Sequence, residues 1–271
     1  MNNSIPSIGF IGGGQMAEAM IRGILASGLV EADAIKVAEP SADRCQYLES
    51  EYGVGCTTSP QDLCTASTVL VLAIKPQMAA EVLAGYKGYL TDQHLAISIM
   101  AGVPLEALAT MLGESRRLIR VMPNTPALVL EAATAFSPNT FATQEDRIIA
   151  QALFSAVGSC VEVPESQLDA VTGLSGSGPG YVFTFIEAMI DGGVLAGIPR
   201  PAAEKLVLQT IYGSAKLALE TGEHPAVLKG KVTSPGGTTI AGIQALEDGA
   251  LRGVVMAAIE AATNRSKELG A

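Results

Sequence analysis

The chain contains no tryptophan, and aromatic residues make up only 4% of its 271 positions. With so few bulky anchors, close backbone approach has to do much of the packing. Cys45, Cys56, Cys64 and Cys160 occur without a Cys-x-x-Cys pair, and His94 and His224 are the only histidines. Those numbers argue against a zinc site, and the four thiols read as buried small apolar groups. Basic residues are outnumbered 17 to 27, for a net charge of −10, and no Lys/Arg-rich run occurs. Nucleic acid is excluded as a partner, because phosphate binding needs a basic surface. The most apolar run, Thr68 to Ile74, falls far short of the ~20 residues of a membrane helix. Met1 to Pro6 carries no basic residue ahead of an apolar core, so no secretory signal is recognisable and the expected location is cytoplasmic. There is no Gly-x-Ser-x-Gly elbow and no cysteine with an obvious histidine partner, which argues against hydrolase chemistry.

Glycine is what the chain has instead: 29 residues, about 11% against a usual ~7%. They follow no three-residue period, which excludes collagen. An apolar content of 48% and a mean hydropathy of +0.35 exclude a disordered polar chain. The length exceeds one average domain of ~100 to 200 residues.

Ser7 to Ile11 is a short apolar stretch ending in three glycines, and Met16, Ala19, Met20 and Ile24 then recur at helical spacing over Gln15 to Ala26. Ala34 to Ala38 predicts a second strand, and Ala42 to Tyr52 a helix closed by Gly53. Val69 to Ile74 has the continuous apolar character of a strand covered on both faces. His94 to Ile99 and Arg117 to Val121 are further strands, with a helix from Pro104 to Leu112 between them. Such alternation implies parallel units with right-handed crossovers and a doubly wound sheet. From Glu165 onward there is no convincing strand. Pro179 to Leu195, Pro201 to Leu219 and Leu251 to Leu269 each predict a long helix, and the boundary falls near residues 162 to 166.

Gly12-Gly13-Gly14-Gln15-Met16-Ala17 fits G-x-G-x-x-A after a strand and at the opening of a helix. Gly12 permits the tight turn, Gly14 lets a pyrophosphate come close, and Ala17 is small enough for helix-on-strand packing. The helix start offers free N–H groups to phosphate oxygens. Glu39, at the end of the second strand, either accepts hydrogen bonds from ribose hydroxyls or is an ordinary solvated charge. Ser41 and Arg44 could instead contact a 2′-phosphate, so the choice between NAD and NADP stays open. Ala73-Ile74-Lys75-Pro76 ends an apolar strand at the edge expected to line the ligand crevice. Met122-Pro123-Asn124-Thr125-Pro126 follows a strand in the same way, with two prolines stiffening a loop from which Asn124 and Thr125 project.

Ser175-Gly176-Ser177-Gly178-Pro179-Gly180-Tyr181 is a second glycine-rich run entering a helix. A third, Val232 to Ile240, contains Ser234-Pro235-Gly236-Gly237-Thr238-Thr239. It reads either as a helix cap with a glycine turn or as an anion nest suited to a carboxylate. Neither histidine is placed as a general base, whereas reduction of a protonated imine needs mainly cofactor placement and a hydrogen-bond partner for nitrogen.

Together these motifs resemble the pyrroline-5-carboxylate reductase family. The carrying segments are Phe10 to Ala17, Ala73 to Gln77, Met122 to Pro126, Asp169 to Pro179 and Val232 to Gly242, and the likeness spans the whole chain. The resemblance implies an α/β fold, with an N-terminal Rossmann-like doubly wound sheet over residues 1–164 followed by an all-helical dimerisation and substrate-binding domain over 165–271. It implies NAD(P)H-dependent reduction of 1-pyrroline-5-carboxylate to L-proline, with NADPH the expected cofactor and NADH the alternative, and self-association through the helical part. Carried over by residue, Gly13, Gln15 and Met16 would touch the pyrophosphate region and Ala73, Ile74, Lys75 and Pro76 would line the cofactor, joining Gly12, Gly14, Glu39 and Asn124 from the reading of the motifs. Ser234, Gly236, Gly237, Thr238 and Thr239 would contact the substrate, with Thr239 the hydroxyl nearest the ring nitrogen. Pro60 stands where many relatives carry an Asn near the adenosine ribose. Two other readings fit parts of the sequence: a related dehydrogenase of β-hydroxy acids, and a non-catalytic dinucleotide-binding protein.

Overall fold

Eight short, mostly apolar stretches form one sheet. The computed structural model describes residues 7–270; Met1–Pro6, read above for a secretory signal, and Ala271 lie outside the described residues. The strands are β1 (Ile8–Ile11), β2 (Ile35–Ala38), β3 (Gly55–Thr57), β4 (Val69–Leu72), β5 (Leu95–Ser98), β6 (Arg117–Met122), β7 (Ala132–Pro138) and β8 (Gly158–Glu162). Their order across the sheet is β3-β2-β1-β4-β5-β6-β7-β8. All neighbours are parallel except β6 and β7, so β7 and β8 run against the first six.

Side chains alternate across this sheet and build a core on each face. Ile8 and Phe10 of β1 join Met20, Ile24, Phe136 and Phe154 on one side, whereas Ile11 joins Leu63, Leu72, Leu83 and Leu118 on the other. Fully burying each such side chain is worth roughly 1.5–3 kcal/mol. The faces are covered by α1 (Gln15–Ala26), α2 (Ala42–Tyr52), α3 (Pro60–Ala66), α4 (Ala79–Ala84), α5 (Leu105–Leu112) and α6 (Gln144–Ser155). A short α7 (Leu168–Val171) continues into a π-helical turn, Thr172–Gly176. Local chemistry sets the helix starts: Ser41 and Ser59 cap α2 and α3, and Thr143 with Asp146 forms a capping box on α6. Pro60 occupies the first turn of α3, where a missing N–H costs nothing.

After residue 177 the chain is helical: α8 (Gly178–Leu195), α9 (Arg200–Thr221), α10 (Pro225–Lys231), α11 (Thr238–Asp248) and α12 (Leu251–Gly270). The backbone divides into two compact units, one containing the residues up to Ser177 together with Glu260 onward, the other Gly178–Ile259. Within the second unit only Ala203 and Val207 are buried apolar residues, while Phe183, Leu195, Leu206, Leu219 and Met256 are exposed.

Some expectations need correction. The strand read through Ile74 ends at Leu72, and His94 lies just before β5. Only Cys64 is buried; Cys56 and Cys160 lie on the edge strands β3 and β8, and Cys45 on α2, so all three are half-buried.

Candidate functional site

The strand order reverses between β1 and β4, and the carboxyl ends of those two strands open the crevice where doubly wound sheets hold ligands. Gly12–Gly14 follows β1 and Ala73–Pro76 follows β4, so the topology brings both sequence-predicted loops together. Gly12 has φ +98°, and a Cβ there would stand 2.6 Å from the Ala73 carbonyl oxygen. Only glycine fits that turn. Gly14 starts α1 and has no atom within 4 Å of where a Cβ would be, so its side faces open space. The amides of Gln15 and Met16 begin the helix and have no carbonyl one turn upstream to bond.

Two clefts flank this loop. One, of about 520 Å³, runs from Gly12–Gly14 past Glu39 and Thr58 to Lys75, Val82 and Tyr86. The other, of about 400 Å³, is lined by Gln15, Met16, Lys75, Ala101, Met122 and Gly176, with Asn124 at its wall. Lys75 borders both, is exposed, and has no acidic partner among the described residues. The arrangement fits a dinucleotide: an open glycine shoulder, a helix start for phosphates, one unpaired cation, and a cleft on either side.

Glu39 is not a solvated charge. Its carboxylate accepts from the Gly13 amide at 2.9 Å and from the Ser41 amide at 3.0 Å. The Gly13 N–H is thereby engaged, which leaves the amides of Gln15 and Met16 for phosphate. Arg44 donates its Nε to the Gly13 carbonyl at 2.6 Å and pairs with Glu18. Tyr47 and Tyr52 both donate to Glu18, at 2.9 and 2.8 Å. Burial pushes the Glu18 carboxyl up, but the bonds from Arg44, Tyr52 and Tyr47 outweigh it and hold the group below its ordinary range.

Asn124, expected to project into the crevice, is turned into a bracket. Its amide donates to the Ser175 carbonyl at 3.0 Å and accepts from the Ala133 amide at 2.9 Å, tying the loop after β6 to the π-helical turn and to β7. Sequence reasoning missed Arg120. It is buried on β6, 3.3 Å from Glu165 and 3.4 Å from Asp169, and Asp169 also accepts from Ser266 at 2.8 Å. A lone charge inside the apolar Leu118-Ile119-Arg120-Val121 was the available signal.

In the helical unit, Ser234–Gly237 forms a turn with Gly236 at φ +68° and the Gly237 amide bonded to the Ser234 carbonyl at 3.0 Å. Gly237 caps α11, and Thr238 and Thr239 form its first turn, both exposed. The turn therefore presents N–H groups and hydroxyls to solvent at a helix start, as an anion site requires. The histidines are structural: His94 accepts from the Thr91 amide and contacts the Cys64 carbonyl, and His224 caps α10. Burial pushes the thiols of Cys56, Cys64 and Cys160 up to about 12, 11 and 12, far from thiolate chemistry at neutral pH.

Residues 165–269 match the family described as pyrroline-5-carboxylate reductase dimerisation, and residues 7–102 match that described as NADP oxidoreductase, coenzyme F420-dependent. A pyrroline-5-carboxylate reductase of Methanosarcina acetivorans is 47% identical over 263 residues, 97% of either chain. The chain belongs to the pyrroline-5-carboxylate reductase family. Two solved structures agree with that membership. A member of the family from Coxiella burnetii is 36% identical with a TM-score of 0.95, covering 98% of this chain and 99% of that one. A pyrroline carboxylate reductase from Plasmodium falciparum, solved with NADP bound, is 34% identical with a TM-score of 0.88, covering 99% of each chain. The family's dimerisation segment contains the helices whose apolar side chains lie exposed in the single chain. Among the described residues no helix is long and apolar enough to cross a membrane.

Proposed function

We propose that the protein reduces 1-pyrroline-5-carboxylate to L-proline with NADPH. The observation that carries this reading is the pairing, in one chain of this family, of a dinucleotide crevice with a second, hydroxyl-rich anion turn at Ser234–Thr239. On this reading Gly12, Gly14, Gln15 and Met16 hold the pyrophosphate, and Ala73, Ile74, Lys75 and Pro76 line the cofactor. Glu39 and Gly13 shape the loop. When bound, the reduced nicotinamide supplies the hydride that the substrate's C=N carbon accepts.

The chain's own residues do the rest. The amides of Gly236, Thr238 and Thr239 hold the substrate carboxylate, with Ser234 and Gly237 shaping the turn beside them, and charge-assisted N–H bonds of this kind fix its orientation. Thr239 hydrogen-bonds the ring nitrogen, holding it while its positive charge is lost. NADPH is favoured over NADH because both Glu39 oxygens are taken by backbone amides, so the carboxylate is tethered, and Ser41 and Arg44 stand nearby to meet a 2′-phosphate. The Plasmodium falciparum relative solved with NADP supports the same choice.

Self-association follows from the surface of the helical unit: with only Ala203 and Val207 buried there, its apolar faces need another copy to cover them. Four free cysteines suit a reducing, cytoplasmic setting. The decisive experiment compares wild type with Thr239→Val. The expected result is a loss of about 100-fold in kcat/KM for pyrroline-5-carboxylate, with unchanged NADPH affinity. Unchanged turnover would remove Thr239 from the mechanism.

A further inference from the structure

Six tyrosines occur in the chain, and only Tyr86 is buried, at 6% exposure. It follows the short helix α4 and packs among Leu63, Leu83 and Leu90, an apolar setting in which a phenol ordinarily finds a hydrogen-bond partner. Tyr47 and Tyr52 do find one, in Glu18. The Tyr86 hydroxyl has none among the described residues. It is also absent from the sealed, unpartnered polar atoms, which are Ser67 Oγ, Arg117 Nε and Thr134 Oγ1. The hydroxyl therefore keeps some access to solvent, and the residue lines the 520 Å³ cleft.

That cleft is the adenosine side of the crevice. It contains Glu39, and an acid at the end of β2 marks the adenosine ribose in doubly wound sheets. Beyond Glu39 its walls are Ile11, Ala38, Ile74, Met78 and Val82, an apolar slot for a flat base. Burial, and secondarily the neighbouring Cys64, push the phenol up to about 12, so it remains a donor at neutral pH.

We propose that Tyr86 binds the adenine base of the cofactor, its hydroxyl hydrogen-bonding the base edge while its ring closes the end of the slot. This rests on the dinucleotide reading above and adds the residue that recognises the base. It makes two predictions. In the free protein the hydroxyl has no protein partner to lose, so removing it costs little stability. In the complex the same hydroxyl gains a partner, so removing it weakens binding.

The test is Tyr86→Phe, with the exposed Tyr89→Phe as control, read by calorimetric binding of NADPH and of 2′,5′-ADP and by thermal unfolding without ligand. The expected result for Tyr86→Phe is a 3- to 10-fold weaker Kd for both ligands, the effect of one neutral hydrogen bond, with a melting temperature equal to or above that of wild type. Tyr89→Phe changes neither. An unchanged Kd for 2′,5′-ADP overturns the proposal. So does a melting temperature lowered by several degrees, which would give the hydroxyl a structural partner. Because 2′,5′-ADP binding needs no turnover, a wild type that binds it but fails to reduce pyrroline-5-carboxylate sinks the proposed reaction alone; a wild type that binds neither NADPH nor 2′,5′-ADP sinks both.

Discussion

Replacing Gly14 by alanine separates folding from cofactor binding. The backbone there is ordinary, φ −67° and ψ −176°, and no atom lies within 4 Å of the added Cβ. Alanine is a poorer helix cap than glycine, but it restricts the unfolded chain, and the two effects nearly cancel, to within about 0.5 kcal/mol. Binding is another matter, because the methyl group fills the space beside the first amides of α1, where the pyrophosphate would rest. Losing one charge-assisted hydrogen bond there costs about 1.5–3 kcal/mol, which is roughly a 10- to 150-fold weaker Kd for NADPH. Gly12→Ala is the contrasting variant. Left-handed backbone costs an L-residue about 1–2 kcal/mol, and the 2.6 Å approach to the Ala73 carbonyl adds roughly 1–3 kcal/mol of overpacking, so this variant loses stability outright. Urea unfolding at fixed chain concentration measures the first quantity and fluorescence titration with NADPH the second. If Gly14→Ala binds NADPH as wild type does, the phosphate path assigned to the loop is wrong.

Arg120→Met leaves Glu165 and Asp169 facing each other without their cation. The expected loss is about 2–3 kcal/mol in urea unfolding, below the ~3–5 kcal/mol of a fully buried pair because the carboxylates are 34% and 23% exposed. Adding Glu165→Gln and Asp169→Asn should recover part of it; no recovery would show that the guanidinium acts through packing alone. Glu18 is held below its ordinary value of 4.5, so its contribution to stability is present above that pH and is lost as pH falls through the lower folded value. The stability gap between wild type and Glu18→Gln should therefore close on acidification, and a gap independent of pH from 7 to about 3 would disprove the ion-pair account.

What local chemistry determines was legible in the sequence, and what distant partners determine was not. Helices α1 and α2 begin and end where periodicity and Gly53 put them, and the apolar runs of β1, β2, β4, β5 and β6 agree with the strands to within two residues. β3 escaped because three half-buried residues, Gly55–Thr57, carry no period. β7 escaped because Ala132-Ala133-Thr134-Ala135 is weak in β-branched residues, and its strand character comes from pairing with β6 and β8. The glycine loop was readable because its conformation is a property of glycine itself. Asn124 was read as a projecting side chain because its partners, Ala133 and Ser175, lie 9 and 51 residues away. Tyr86 gave no signal at all, since a tyrosine after Gly85 looks like any core aromatic until the cleft beside it is seen.

The net charge of −10 is at odds with two anionic ligands, a dinucleotide phosphate and a carboxylate, only if charge is treated as one number. At physiological salt, fields between exposed charges fade over about 8 Å, so an acidic residue weighs on either ligand only when it stands close to that ligand's site. Near the crevice the acids are already spoken for: Glu18 is taken by Arg44 and two tyrosines, and Glu39 by the Gly13 and Ser41 amides. Among the described residues Lys75 has no carboxylate of its own, and the starts of α1 and α11 add their partial positive charge at the two turns. Local donors therefore decide binding, and the overall charge is left to govern solubility and to turn away polyanions.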